Sequence, residues 1–272
     1  LIREIVRSVL NIIEVATLVD WWSTKDSSDL HVVSATDESH FRSAMQLVDS
    51  IVKNCPQASF VLYDLGLTEE SRSQLLQRGV NLKEFKFSNY PEFFQMHTNH
   101  GSYAWKPVII QLEALMSNKQ TLVWLDAGCK VGARFSGFDR LVRRHKIFAN
   151  PSASTYENWL HPSAAVAYVD ASILRAEQIK SLSEEVMLSA AFLGFDLKDK
   201  RVRGVLESWA HCAHSKEIIG PHGSSTQNHR FDQVLLDALI RKSNSPHFPY
   251  ARAWLPAVLV GVKTHMDVEA LT

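Results

Sequence analysis

Apolar and polar positions fall into blocks along this chain, and the period of the blocks changes from one to the next. Leu30-His-Val-Val-Ser34 follows a polar break at Ser23 to Asp29 and predicts a first strand. From Ser39 to Lys53, the apolar positions Phe41, Ala44, Met45, Val48, Ile51 and Val52 recur at helical spacing, and Cys55-Pro56 ends that helix. Ala58-Ser-Phe-Val-Leu-Tyr63 predicts a second strand. Thr68 then offers a capping hydroxyl, Glu69 and Glu70 place carboxylates in the first turn of a second helix, and Gly79 closes it. A third strand is expected from Val80 to Phe87. Tyr103-Ala-Trp-Lys106-Pro107 opens a third helix, because proline is tolerated in a first turn, and Val108, Ile109, Leu112, Leu115 and Met116 supply its apolar face. Thr121-Leu-Val-Trp-Leu125 is a short apolar run that stops at Asp126 and Gly128, the pattern of a buried parallel strand. Lys146 to Ala149 and Ala164 to Val169 read as two further strands, and beyond residue 170 the pattern is mostly helical, ending in Phe231 to Lys242.

This alternation predicts an α/β fold, a mostly parallel doubly wound sheet flanked by helices with a helical C-terminal portion. The length of 272 residues suits one large domain, expected over 30–272. Residues 1–29 form a separate N-terminal segment, an amphipathic helix or a stem. Leu1 to Trp22 is rich in Ile, Val and Leu but is broken by Arg3, Glu4, Arg7, Glu14 and Asp20. It has no uninterrupted apolar run near the roughly 18 residues of a spanning helix. It packs on the domain, or it lies on a membrane surface as the remnant of an anchored stem.

Charge narrows the partners. Lys+Arg and Asp+Glu both number 29, which argues against nucleic acid. The three cysteines, with no Cys-x-x-Cys, argue against a zinc cluster or a disulfide framework. The compartment stays open between cytoplasm and Golgi lumen.

Four segments carry chemistry. In open α/β sheets, ligands sit beyond the carboxyl ends of the strands. Asp126 stands at such an end, where its hard oxygens suit Mg²⁺ or Mn²⁺ together with substrate phosphates, or where it caps the next turn. After the first strand, Ala35 and Thr36 leave room for a flat ring and its ribose, and Asp37 either accepts a hydrogen bond from them or caps the following helix. Lys106 at a helix start is placed for a phosphate, or is a solvated lysine beside a buried Trp105. Asp232 and Gln233, in the first turn of the last helix, suit sugar hydroxyls or serve as a cap. A phosphatase of the haloacid type would want a second aspartate at position 128, where Gly128 stands. Serine-hydrolase chemistry lacks its Gly-x-Ser-x-Gly elbow.

Taken in order, Ala35-Thr36-Asp37, Val61-Leu-Tyr-Asp-Leu-Gly-Leu67, Tyr90-Pro91, Tyr103-Ala-Trp-Lys106-Pro107, Val123-Trp-Leu-Asp126 and Arg230-Phe-Asp232-Gln233 resemble the nucleotide-diphospho-sugar glycosyltransferases of the GT-A fold. More distantly, the layout is similar to glycogenin and the bacterial galactosyltransferases of glycosyltransferase family 8. The resemblance spans Leu30 to Lys242. It implies a nucleotide-diphosphate sugar as donor and a glycan, glycoprotein or glycolipid as acceptor. It implies that Ala35, Thr36, Asp37 and His40 line the base and ribose, and that Lys106 contacts the donor. Asp126 then matches the first aspartate of the Asp-x-Asp motif that holds Mn²⁺ or Mg²⁺ and the diphosphate. Asp232 and Gln233 match the pair beside the transferred sugar, as the catalytic candidates. His265 is the counterpart of a C-terminal histidine that ligates the metal, and Lys263 or Lys106 is a cation for the leaving diphosphate. Gly128 departs from the motif by removing its second carboxylate. That departure keeps a non-catalytic binding or scaffold protein of the same fold as the alternative, with a metal-dependent phosphatase behind it.

Overall fold

The computed structural model of the chain describes residues 27–245, 247 and 261–268, so the N-terminal segment expected over 1–29 lies almost wholly outside the described residues. The sheet is built by β1 (Leu30–Thr36), β2 (Ser59–Asp64), β3 (Asn81–Glu84), β4 (Thr121–Leu125), β6 (Ile147–Thr155) and β7 (Val186–Asp196), in the spatial order β3-β2-β1-β4-β7-β6. β1 pairs parallel with β2 and β4, and β2 with β3, while β7 runs antiparallel to β4 and to β6. The sheet is therefore mostly parallel, as the alternating pattern required. The chain winds outward from β1 to β3 and then returns to the other side of β1 at β4. The strand order thus reverses between β1 and β4, which is where such sheets open a crevice at their carboxyl ends.

Helices cover both faces. α1 (Phe41–Asn54) and α2 (Glu69–Gln77) pack one side, where Ala44, Val48, Leu62 and Leu75 share a small core. α3 (Trp105–Met116) packs the other side, with Ile109 and Ile110 fully buried against the main core. Successive β2 residues go to opposite faces, Leu62 into the small core and Val61 and Tyr63 into the main one, as the period of two demands. A buried carboxylate fixes α3 in place: Glu113 takes hydrogen bonds from Tyr63 Oη at 2.6 Å and Lys83 Nζ at 2.6 Å, and lies 2.8 Å from His31 Nε2. Burial alone would raise Glu113, but these three partners outweigh it and bring it down to about 2. Tyr63 and Asp64 are therefore scaffolding: Asp64 Oδ1 accepts from the amides of Gly66 and Leu67 at 2.7 Å each, and Gly66 holds φ +126.

The remaining helices are α4 (Phe138–His145), α5 (Tyr156–Trp159), α6 (Pro162–Asp170), α7 (Ala176–Leu182), α8 (Lys200–Cys212), α9 (Lys216–Ile219) and α10 (Phe231–Ser243). A second, two-stranded sheet joins β5 (Lys130–Val131) to β8 (Val262–Lys263).

Three expectations are corrected. Ala164 to Val169 is helical, within α6. Pro162 opens that helix and His161 caps it, and Ala164 and Tyr168 are buried while Val166 between them is 62% exposed, whereas a strand would put all three on one face. The mostly helical stretch past residue 170 is interrupted by β7, an 11-residue strand central to the sheet's antiparallel half. Its sequence hides it: both faces are buried, so no alternation appears, and its Met, Leu and Ala residues favour helices locally. The expected third strand also shortens to Asn81–Glu84, because Phe87 enters a 3-10 turn.

Candidate active site

β1 ends at Thr36 and β4 at Leu125, so Asp37 and Asp126 follow the carboxyl ends of neighbouring strands on the two sides of the reversal in strand order. They line one cavity with Ala35, Thr36, His40, Tyr103, Lys106, His265 and Asp267. An adjoining cavity shares Tyr103, Lys106, Asp126 and His265, and adds Arg230, Asp232 and Gln233. The sequence-expected residues therefore meet in one cleft, with a single exception. Lys263 is exposed on β8 and lines neither cavity.

Lys106 is the pivot. The first turn of α3 drives it inward, and it is 3% exposed. Its Nζ lies 2.9 Å from Asp126 Oδ1 and 3.4 Å from Asp232 Oδ2, and 5.4 to 6.0 Å from the ring centres of Trp124, Tyr103 and Trp105. Burial opposes its charge, yet Asp126 and Asp232 outweigh burial and hold the ammonium above the usual lysine range. It is thus not a solvated lysine; it is the counter-ion of two carboxylates and lines both cavities. Asp126 Oδ1 also accepts from Trp124 Nε1 at 2.7 Å, while its side chain stays 40% exposed to the cleft.

Asp232 is buried in the first turn of α10, and its Oδ2 has no hydrogen-bond partner beyond the Lys106 ion pair. Burial pushes its carboxyl up to about 6, against the pull of Lys106 and with the Asp126 charge adding to the push. Gln233 Oε1 accepts from the amide of Ala190 at 2.9 Å, and Asp237 Oδ2 accepts from that of Leu188 at 3.2 Å. These contacts answer an irregularity in β7. Its pairing with β6 jumps from Ala149↔Leu193 to Asn150↔Ser189, so Ala190 to Phe192 have no β6 partner and α10 satisfies part of the ladder. The bulge turns the backbone of Ala190 and Ala191 toward the site: Ala191 O accepts from Asp126 N at 2.9 Å, and Ala190 O lies 3.5 Å from Lys106 Nζ.

On the opposite wall, Asp37 caps a 3-10 turn by accepting from His40 N at 3.1 Å, and its Oδ1 lies 2.8 Å from His40 Nδ1. Burial raises Asp37, but hydrogen bonds from His40 and Ser39 outweigh it and bring it down to about 2. The hydrogen bond to Asp37 in turn raises His40, with the charges of Asp267 and Asp126 adding to it.

Three parts of the cleft lie outside the site residues expected from the sequence. Asn99 to Tyr103 hold φ between +47 and +64, a left-handed turn that sets His100 and Tyr103 on the cavity wall. Arg230 stacks on Trp159, its guanidinium carbon 3.9 Å from the ring centre. Asp267 arrives on the strap 261–268, which is tied down by Met266 N to Gly128 O at 2.8 Å, Val268 N to Ser43 Oγ at 2.9 Å and Gln46 Nε2 to Met266 O at 2.9 Å.

For a divalent ion, the donor chemistry fits: the Asp126 and Asp267 carboxylates and the His265 imidazole border one cavity, a set suited to Mn²⁺ or Mg²⁺. Gly128 also leaves space that a side chain would take from Asp267. As they stand, no three His, Cys, Asp or Glu groups among the described residues converge on a common point. That is compatible with ions carried by one or two carboxylates plus substrate phosphates.

A family described as "Protein of unknown function (DUF1647)" matches residues 6–111. No curated protein matches the chain in sequence. Among solved structures, core-mannan synthase A from Aspergillus fumigatus, in its Mn/GDP form, is similar over 82% of this chain and 73% of its own, with TM-score 0.51 and 8% identity. The galactosyltransferase LgtC, in complex with donor and acceptor sugar analogs, is similar over 77% of this chain and 70% of its own, with TM-score 0.46 and 16% identity.

Proposed function

We propose that this chain, which has the GT-A glycosyltransferase fold, transfers a sugar from a nucleotide-diphosphate donor to a hydroxyl acceptor. The observation that carries the reading is the meeting of Asp37, Lys106, Asp126, Asp232 and Gln233 in adjoining cavities at the reversal of the sheet. Ala35, Thr36, Asp37 and His40 form the wall against base and ribose, where a carboxylate held ionised down to about pH 2 accepts from ring N–H or hydroxyl groups. The transferred sugar falls toward Asp232 and the Gln233 amide, whose orientation is locked by Ala190. Asp126 and His265 would hold a Mn²⁺ or Mg²⁺, which when bound neutralises charge on the diphosphate. Lys106 contributes indirectly: with two carboxylates about it, it fixes Asp126 and Asp232 and keeps the floor of the cleft from a double negative charge. The acceptor, a glycan or a glycan-bearing protein or lipid, enters on the open side near Arg230 and Trp159.

Gly128 favours one other reading, a binding protein of the same fold without turnover. The test is donor hydrolysis and transfer with a panel of UDP- and GDP-sugars, with and without Mn²⁺, on wild type and Asp126→Ala. Turnover that falls about 100-fold or more in the variant, with an unchanged melting profile, is the expected result. Nucleotide binding without turnover under any condition assigns the scaffold role. Full activity in Asp126→Ala removes Asp126 from the site.

A further inference from the structure

The second carboxylate that Gly128 lacks has not been lost from the cleft. A methyl group at Gly128 would stand 2.3 Å from Asp267 Oδ1, 2.8 Å from its Cγ and 2.9 Å from Oδ2. The Asp267 carboxylate therefore fills the very space that a side chain at 128 would need, and only glycine admits it. We infer that Asp267, delivered by the strap 261–268, is the second carboxylate of a divalent-cation site with Asp126 and His265, and that Gly128 is glycine in order to seat it.

Three independent features support this. The strap is registered on the residue it complements: Met266 N donates to Gly128 O at 2.8 Å, so positions 128 and 267 are held side by side by backbone. His265 has φ +55, an uncommon conformation for a residue with a side chain; in it, His265 and Asp267 both line the cavity that Asp126 borders. The floor is already supplied with negative charge beyond its cation. Asp232 Oδ2, on a side chain almost wholly buried in the adjoining cavity, has no hydrogen-bond partner, and one ammonium, Lys106, faces both Asp126 and Asp232. Adding Asp267 gives four carboxylates around the two cavities, Asp37, Asp126, Asp232 and Asp267, against Lys106 and Arg230, in a cleft whose proposed ligand is a diphosphate, an excess of negative charge that a divalent cation resolves. The protein groups need not converge on the ion by themselves, because the diphosphate oxygens and water complete its shell.

This inference rests on the nucleotide-sugar reading, and its test separates the two. Mn²⁺ uptake is followed by loss of the free-ion electron paramagnetic resonance signal, with UDP or GDP present. Nucleotide binding is measured separately in EDTA by calorimetry. Wild type is expected to take up Mn²⁺. Asp267→Asn should weaken uptake about tenfold or more while leaving nucleotide binding in EDTA unchanged. The swap Gly128→Asp with Asp267→Ala should restore uptake to within about threefold of wild type, since it moves the carboxylate back across the same gap. Wild-type uptake in Asp267→Asn overturns the inference, as does a cooperatively melting swap that fails to restore it. Wild type that binds nucleotide equally with and without Mn²⁺, and takes up no Mn²⁺, overturns the inference and leaves the glycosyltransferase reading standing. Wild type that binds no nucleoside diphosphate under any condition overturns both.

Discussion

At the scale of single residues, the cleft is a problem in buried charge that Lys106 solves only in part. A buried ion pair broken from one side leaves an uncompensated charge, at a cost of about 3–5 kcal/mol. Lys106→Met strands Asp126 and Asp232 together and should lower stability by about that amount at pH 7. Asp232→Asn should do the opposite. It keeps the shape of the side chain, leaves Lys106 its partner at 2.9 Å, and removes a carboxylate whose ionised form the fold disfavours. The sign follows from the proton. Asp232 titrates at about 6 in the fold against an ordinary value of 3.8, so the native state holds a proton that the unfolded chain releases between those values. Wild type therefore loses stability from this group as pH rises from about 4 to about 6. Asp232→Asn does not, so the stability advantage of the variant should grow across that window and stay flat above it. Denaturant titrations in metal-free buffer from pH 4 to 8 measure it, and an advantage independent of pH would refute the account. The same variant should lose sugar transfer, since the amide cannot accept from sugar hydroxyls with both of its polar atoms. Lys106 also marks a limit of sequence reading. Its position at a helix start was visible, but its burial between two carboxylates was not, because a sequence does not say which way a first-turn lysine points.

At the scale of elements, what was legible was what repeats with a period. α1, α2, α3 and α10 follow from spacing and caps, and β1, β2 and β4 from short bounded runs. β7 was not legible, because a strand buried on both faces has no period, and α6 passed as a strand because a short apolar run does not separate helix from strand. In the segment around Tyr63 and Asp64, those two residues proved to anchor α3 and shape a turn, while Leu65 lines the cleft. Least legible of all was the left-handed turn Asn99 to Tyr103. Each non-glycine residue in that conformation costs about 1–2 kcal/mol, so the surroundings must enforce it. They do: Asn99 Nδ2 donates to Ser224 O at 3.3 Å, Trp105 Nε1 donates to His100 O at 3.2 Å, and Ser102 fits against Gly220, where a methyl group would stand 2.5 Å from Ser102 Oγ. Gly101 is the weak point, at φ +64 with a methyl position only 2.2 Å from the Phe94 carbonyl oxygen. Gly101→Ala should cost about 1–3 kcal/mol and should also weaken nucleotide binding, because His100 and Tyr103 ride on the turn. Equilibrium unfolding paired with nucleotide titration below the transition reads both effects. A variant as stable as wild type would mean that the turn is not held as described.

At the scale of the whole molecule, the cleft is closed by parts of the chain that lie far apart in sequence. Asp37 and Asp126 come from the ends of adjacent parallel strands, an arrangement that follows from strand order alone and was therefore predictable once the order was. The strap 261–268 is different. It crosses to α1 and β5 through a two-residue strand and a few hydrogen bonds, and nothing in its composition announces where it lands. Its anchors on α1, Ser43 and Gln46, touch neither cavity, so they test whether the strap's position matters apart from its chemistry. Each hydrogen bond contributes about 0.5–1.5 kcal/mol net. Removing two of them loosens a peripheral segment whose opening is local, while the sheet and its two cores stay packed. The double variant Ser43→Ala with Gln46→Ala should therefore leave the main unfolding transition nearly where it is, raise amide hydrogen exchange in 261–268, and weaken Mn²⁺-dependent nucleotide binding several-fold. Binding measured in EDTA should hardly change, because Asp37, His40 and Lys106 stand on elements that the strap does not carry. Equal losses with and without the ion would mean that the strap serves the fold of the cleft rather than its metal chemistry.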